Sequence, residues 1–160
     1  MHNLAIALKE KGLEISGSDD EIYEPSKTKL KDSGILPPAE GWDADRISPD
    51  LDAVIVGMHA RPDNVELVRA QEIGLKVFSF PEFIFEQSKD KQRIVIGGSH
   101  GKTTITSMVM HVLRFFDRSF DYAVGATVKG FKNTVKLSDA PIIIIEGDEY
   151  LSSPLDPTPK

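Results

Sequence analysis

The sequence contains no cysteine. That excludes a disulfide scaffold, a thiolate metal site and a cysteine nucleophile, and it suits a reducing compartment. Long apolar runs are missing too: no stretch approaches the roughly 18 to 20 residues that a membrane span needs. The opening "MHNLAIALKEKG" has neither the basic start nor the small-residue cleavage site of a signal peptide. Excess positive charge is also absent. A formal net charge of −6 argues against a generic nucleic-acid or anionic-membrane surface. Apolar content is not short: 40% of the 160 residues are hydrophobic and 28% charged, values that favour a folded core over disorder. The reading is a soluble, cytoplasmic protein of one ordinary domain or two small ones.

Short apolar runs alternate with helix-periodic segments. "HNLAIALKEKG" reads as a helix stopped by cations and Gly12. "LEISGSDD" reads as a short strand breaking into a polar loop, and "PSKTKLKDSG" as a helix with Leu30 on its apolar face and Gly34 at its end. "LDAVIVG" (51–57) is a buried strand. "RPDNVELVRAQEIG" predicts a helix with Asp63 as N-cap and Glu66 three residues on, the spacing of a capping box. "KVFSF" (76–80) is a strand, and "PEFIFEQ" a short helix opened by Pro81.

The charged "SKDKQ" (88–92) is the linker candidate. A strand over 93–98 follows, then a loop and a helix from Lys102 to Phe116. In that helix Ile105, Met108, Val109, Val112, Leu113 and Phe116 form one apolar stripe. "DYAVGATVKGFKN" predicts a strand and a glycine-containing turn, "APIIIIEGDEY" a fully buried strand ending in acids, and the proline-rich "SSPLDPTPK" an irregular tail. Such alternation predicts an α/β protein with parallel sheets, in two units joined near residue 90.

"IVIGGSHGKTTITSMV" (94–109) carries the clearest chemistry. A phosphate cradle needs converging backbone N–H groups, a helix N-terminus behind them and a lysine reaching the outer phosphates. Gly98, Ser99, His100, Gly101, Lys102, Thr103 and Thr104 supply these parts between a strand and a helix. The usual pattern places four residues between its two glycines; here three lie between Gly97 and Gly101. A second strand brings acids. Four isoleucines precede Glu146, Asp148 and Glu149, at the strand end where open parallel sheets bind ligands. A carboxylate there can hold Mg²⁺ opposite the Thr103 hydroxyl. Glu146 and Asp148 share one face and Glu149 the other; Glu146, nearest the buried strand, ranks first. The plain alternatives are a glycine-rich turn with a solvated lysine and acids in a solvated turn.

The loop resembles the Gly-Thr-His-Gly-Lys-Thr-Thr loop of the Mur ligases, ATP-dependent amide-forming enzymes of peptidoglycan synthesis, with Ser99 in place of the threonine. "IEGDEY" is similar to their Glu-Ala-Asp-Glu magnesium segment, with Gly147 for alanine. "GSDDEIYEPSKTKLKDSGI" resembles the segment after the second strand of their uridine-nucleotide domain, so the likeness covers nearly the whole chain. It implies an incomplete Rossmann-like uridine-nucleotide domain over residues 1–90 and an incomplete P-loop ATPase domain over residues 91–160.

ATP and Mg²⁺ are the implied cofactors. Lys102 would act on the β- and γ-phosphates, Thr103 and Glu146 would hold the metal, and His100 would either contact phosphate or pack in the loop. The implied substrate is UDP-N-acetylmuramate, with Ser18 and Asp19 placed for ribose or base and His59, Ala60 and Arg61 for pyrophosphate or muramate. For each of these five the alternative is a polar loop residue. One family branch adds L-alanine to that substrate; another reattaches a recycled murein tripeptide. Tyr150 after the acids, and "IYEP" near the start, look more like the recycling branch. No nucleic-acid or membrane partner is implied.

The family begins with a strand and a glycine-rich turn that receive the UDP diphosphate, and this sequence starts after them. It also stops before the rest of the ATPase domain and the third domain. These 160 residues alone are therefore expected not to catalyse ligation. Two other classes stay open: a plain P-loop kinase or NTPase, and a non-catalytic nucleotide-binding module. Folylpolyglutamate synthetase shares the loop chemistry but lacks a comparable N-terminal domain.

Overall fold

A computed structural model of the chain describes residues 1–147 and the backbone of 151–153 and 156–159. Asp148, Glu149 and Tyr150, singled out above, lie outside the described residues. Helix α1 (His2–Glu10) buries Leu4, Ile6, Ala7 and Leu8 and is followed by Gly12 at φ +96°. Helix α2 (Ser26–Asp32) buries Leu30 and gives way to Gly34 at φ +70°. Both glycines take the left-handed conformation that closes helices cheaply. Strands β1 (Ala53–Val56) and β2 (Lys76–Ser79) pair in parallel, with helix α3 (Val65–Glu72) between them in the chain. Helix α4 (Phe80–Gln87) opens on a capping box between Ser79 and Glu82.

Two local expectations fail here. The N-cap of α3 is Asn64, whose side chain accepts from the N–H groups of Glu66 and Leu67, while Asp63 pairs with Arg61 at 3.1 Å. Adjacent Asp and Asn are equivalent caps by residue type, and the backbone position decides between them. Residues 13–16 form no strand. A strand is defined by its ladder, and among the described residues none pairs with this segment.

The second sheet has the order β3-β6-β4-β5. Strands β3 (Gln92–Ile96), β6 (Ile142–Glu146) and β4 (Asp121–Ala123) run parallel, and β5 (Val135–Lys136) is antiparallel to β4. Ile143 and Ile144, at 0% exposure, point to opposite faces of β6. Helix α5 (Lys102–Phe115) covers the Ile144 face, where Met110, Phe120, Tyr122 and Val128 gather. Helices α1 and α4 cover the other, joining Leu4, Leu8 and Ile84 to Ala123, Val135, Leu137 and Ile143. Each buried leucine, isoleucine or valine among them contributes about 1.5–3 kcal/mol. The sheet thus lies between α5 and helices from the first half of the chain.

The apolar stripe expected on α5 is not the buried one. Val109 and Leu113 pack on the core, but Ile105, Met108, Val112 and Phe116 are 50%, 60%, 54% and 66% exposed. Thr106 and Met110 are the fully buried pair. The helix is apolar on two faces, and a period of 3.6 fits both. Segment 88–92 is firmly held rather than loose. The Lys91 ammonium donates to Asp121 Oδ2 (2.7 Å), Ser138 O (2.6 Å) and Ala140 O (2.8 Å). Buried Asp121 also accepts from the N–H and hydroxyl of Ser138. All three ammonium donors are used, which is the condition for tolerating a buried ion pair.

The tail is not irregular either: β7 (Leu151–Ser153) and β8 (Asp156–Pro159) form an antiparallel ladder. A two-stranded ladder has free edges on both sides, where proline is tolerated. Among the described residues no helix is long and apolar enough to cross a membrane.

Candidate functional site

The loop between β3 and α5 is shaped by two glycines at positive φ, Gly98 at +136° and Gly101 at +76°. Gly101 is the N-cap of α5, and among the described residues no side chain caps the helix. The first turn therefore presents its N–H groups and the positive end of the helix dipole, the physical basis of an anion site. Lys102 folds back over the loop and donates to Gly98 O at 2.8 Å. Ser99, Gly101, Lys102, Thr103, Thr104 and Glu146 line one recess of 340 Å³. Gly98 lies outside that lining and gives its carbonyl to Lys102; His100 is exposed and also outside it.

Glu146 reaches the loop because β6 pairs with β3 in parallel, with Ile96 opposite Glu146. Both strands thus end at the same level. Thr103 Oγ1 donates to Glu146 Oε1 at 2.7 Å, and the Gly125 N–H donates to Oε2 at 3.0 Å. Sequence reasoning missed Gly125, which lies 21 residues away on another loop. Gly147 continues the junction: its N–H donates to Ile96 O at 2.9 Å. A Cβ on Gly147 would sit 3.3 Å from Val95 Cγ1 and 3.4 Å from Ile96 O, so the glycine permits close approach of the two strand ends. The hydroxyl and carboxylate are hard oxygen donors already in contact, a set that fits Mg²⁺.

Residues of the first unit are gathered differently. Ser18 Oγ accepts from Arg46 Nη1 at 3.1 Å, and the same guanidinium holds Gly41 O and Ala39 O. Asp19 accepts from the N–H groups of Asp20 and Gly41. His59, Ala60 and Arg61 lie in the turn after β1, where Ala60 N–H donates to Gly57 O and Arg61 pairs with Asp63. Among the described residues no hydrogen bond or ion pair joins the 18–19 pair to the 59–61 turn. Arg46 is the organising residue that the sequence did not disclose, because its partners are set by tertiary folding. Met1 Cγ would lie 3.3 Å from a Cβ on Gly57, so the start of α1 meets the end of β1.

The sequence signature described as Mur ligase family, catalytic domain, matches residues 1–92. UDP-N-acetylmuramate--L-alanyl-gamma-D-glutamyl-meso-2,6-diaminoheptandioate ligase of Haemophilus influenzae is 32% identical over 153 residues, covering 94% of this chain and 33% of that protein. UDP-N-acetylmuramate--L-alanine ligase of Dictyoglomus turgidum is 33% identical over 150 residues, covering 93% and 32%. The solved UDP-N-acetylmuramate:L-alanyl-gamma-D-glutamyl-meso-diaminopimelate ligase from Neisseria meningitides superposes with a TM-score of 0.87 at 29% identity, over 99% of this chain and 52% of that one. The chain spans a third of the length of the curated relatives it matches.

Proposed function

We infer that this chain, which belongs to the Mur ligase family, carries the nucleotide-binding elements of an ATP-dependent ligase acting on UDP-N-acetylmuramate. The observation that carries the reading is the contact of Thr103 with Glu146 beside the Lys102 loop. In this reading residues 1–90 form the uridine-nucleotide unit and residues 91–160 the ATP unit; the family signature's end at residue 92 supports that division. Ser18, Asp19, His59, Ala60 and Arg61 serve the uridine nucleotide, and Gly98 to Thr104 serve ATP.

The reaction is acyl activation. The lactyl carboxylate of the muramate attacks the γ-phosphorus of ATP and ADP leaves. The incoming amine attacks the resulting acyl carbon, phosphate departs and the amine gives up a proton. Phosphoryl transfer of this kind depends on positioning and charge neutralisation. Loop N–H groups and the α5 dipole hold the phosphates, while the Lys102 ammonium leaves Gly98 O for the β- and γ-oxygens. Thr103 and Glu146 would hold Mg²⁺, which supplies further charge neutralisation at those oxygens. Gly125 keeps the Glu146 carboxylate aimed at Thr103.

The tripeptide branch is favoured over the L-alanine branch by the superposition over nearly the whole chain on a ligase of the first kind. Phosphate release supported by tripeptide rather than L-alanine, in the protein that carries this chain, tests that choice. The wider reading is tested by calorimetric titration of the protein that carries this chain with ATP and, separately, with UDP-N-acetylmuramate. Binding of both is expected. Binding of ATP alone would return the chain to a plain P-loop protein, and binding of neither would overturn the reading.

A further inference from the structure

The end of α5 away from the phosphate loop borders a second recess. It measures 280 Å³ and takes Arg114, Arg118, Lys132 and Lys136 into its lining. Among the described residues no aspartate or glutamate lines it, in a chain whose net charge is −6. Arg114 stands 12 residues after Lys102, about 18 Å along the helix. This recess is therefore separate from the one around Thr103 and Glu146.

Its floor is aromatic and buried. Phe120 and Tyr122 are each 5% exposed, and the Tyr122 and Phe131 rings meet edge to face at 5.4 Å. The Arg114 guanidinium lies 4.6 Å over the Phe131 ring and donates to Gly130 O at 2.8 Å. Stacking and hydrogen bonding fix its plane before any ligand arrives, which lowers the ordering cost of binding. Lys136 is anchored through its Nζ to Phe120 O at 3.2 Å.

The remaining cations are available. The Arg118 side chain makes no hydrogen bond or ion pair among the described residues. Lys132 meets Glu10 at 3.1 Å, but these side chains are 81% and 50% exposed, and such pairs hold weakly. The negative end of α5 accounts for one cation, at about 0.3–1 kcal/mol. Arg114 fills that role. Arg118 lies beyond the helix, and Lys132 and Lys136 come from the β4–β5 loop and β5. Four like charges around one hollow repel each other, and a bound anion relieves that repulsion.

We propose that this recess binds a small phosphorylated anion of the diphosphate class, seated among Arg114, Arg118, Lys132 and Lys136 over the aromatic floor. The recess is below the roughly 300–1,000 Å³ of drug-sized pockets, so its ligand is a small one. The test is an amide NMR titration of the Lys102→Ala chain, which silences the loop site, with inorganic pyrophosphate at constant ionic strength. Saturable movement of the Gly130, Phe131 and Lys132 signals is expected, with a midpoint below about 1 mM. Arg118→Gln combined with Lys132→Gln should raise that midpoint at least about tenfold, with the Met110 and Ile144 signals unmoved as evidence of an intact fold. Arg118→Gln alone should raise it by a smaller factor. Absence of saturation, saturation without movement of the three named signals, or an unchanged midpoint in the double variant overturns the proposal.

Discussion

Thr103, on the first turn of α5, and Glu146, the last residue of β6, are joined by a 2.7 Å hydrogen bond between Oγ1 and Oε1 across 43 residues of chain. The bond needs the β3–β6 pairing, because only in-register parallel strands bring both segments to one level. If these oxygens hold Mg²⁺, the metal dependence of ATP affinity depends on them. Thr103→Val and Glu146→Gln should each weaken ATP binding about tenfold or more in Mg²⁺, while leaving metal-free affinity within about a factor of two. Titration with and without Mg²⁺ distinguishes this from a general loss of fold.

The Lys91–Asp121 pair supplies a stability prediction. Lys91→Met leaves the fully buried Asp121 carboxylate without its cation. Breaking such a pair from one side costs about 3–5 kcal/mol. The urea midpoint should fall accordingly with little change in slope.

Core and surface faces of α5 are distinguished by two truncations. Met110, at 0% exposure, should cost about 2–5 kcal/mol as Met110→Ala. Phe115 is 80% exposed, and Phe115→Ala should stay within about 0.5 kcal/mol. Equal losses would mean that the outward stripe is also buried in solution.

At the start of α3, Asn64→Ala should cost about 1 kcal/mol through loss of its two cap hydrogen bonds. Asp63→Ala should stay within about 0.5 kcal/mol, since Asp63 holds only an exposed pair with Arg61. Chemical denaturation of both variants checks the order.

What could be read from sequence was local. Gly12 and Gly34 after their helices, Pro81 opening α4 and the isoleucine run of β6 follow from backbone conformation and burial at single positions. Thr103 and Glu146 can be paired from sequence because each sits at an element end whose chemistry is legible. Tertiary choices were not. Ile105, Met108, Val112 and Phe116 satisfy the helical period as well as Thr106 and Met110 do, and only the sheet selects the buried face. Lys91 reads as part of a charged linker because Asp121, Ser138 and Ala140 lie 30 to 49 residues away. Arg46 carries no local signal for the same reason: Ser18 is 28 residues distant.

The central claim is that the loop before α5 binds the phosphates of ATP through Lys102. Calorimetric titration of ATP into the chain and into Lys102→Ala tests it most directly. The charge-assisted hydrogen bonds of one lysine are worth about 1.5–3 kcal/mol, so the variant should bind ATP about 10- to 150-fold more weakly. Equal affinity in the two proteins would contradict the account.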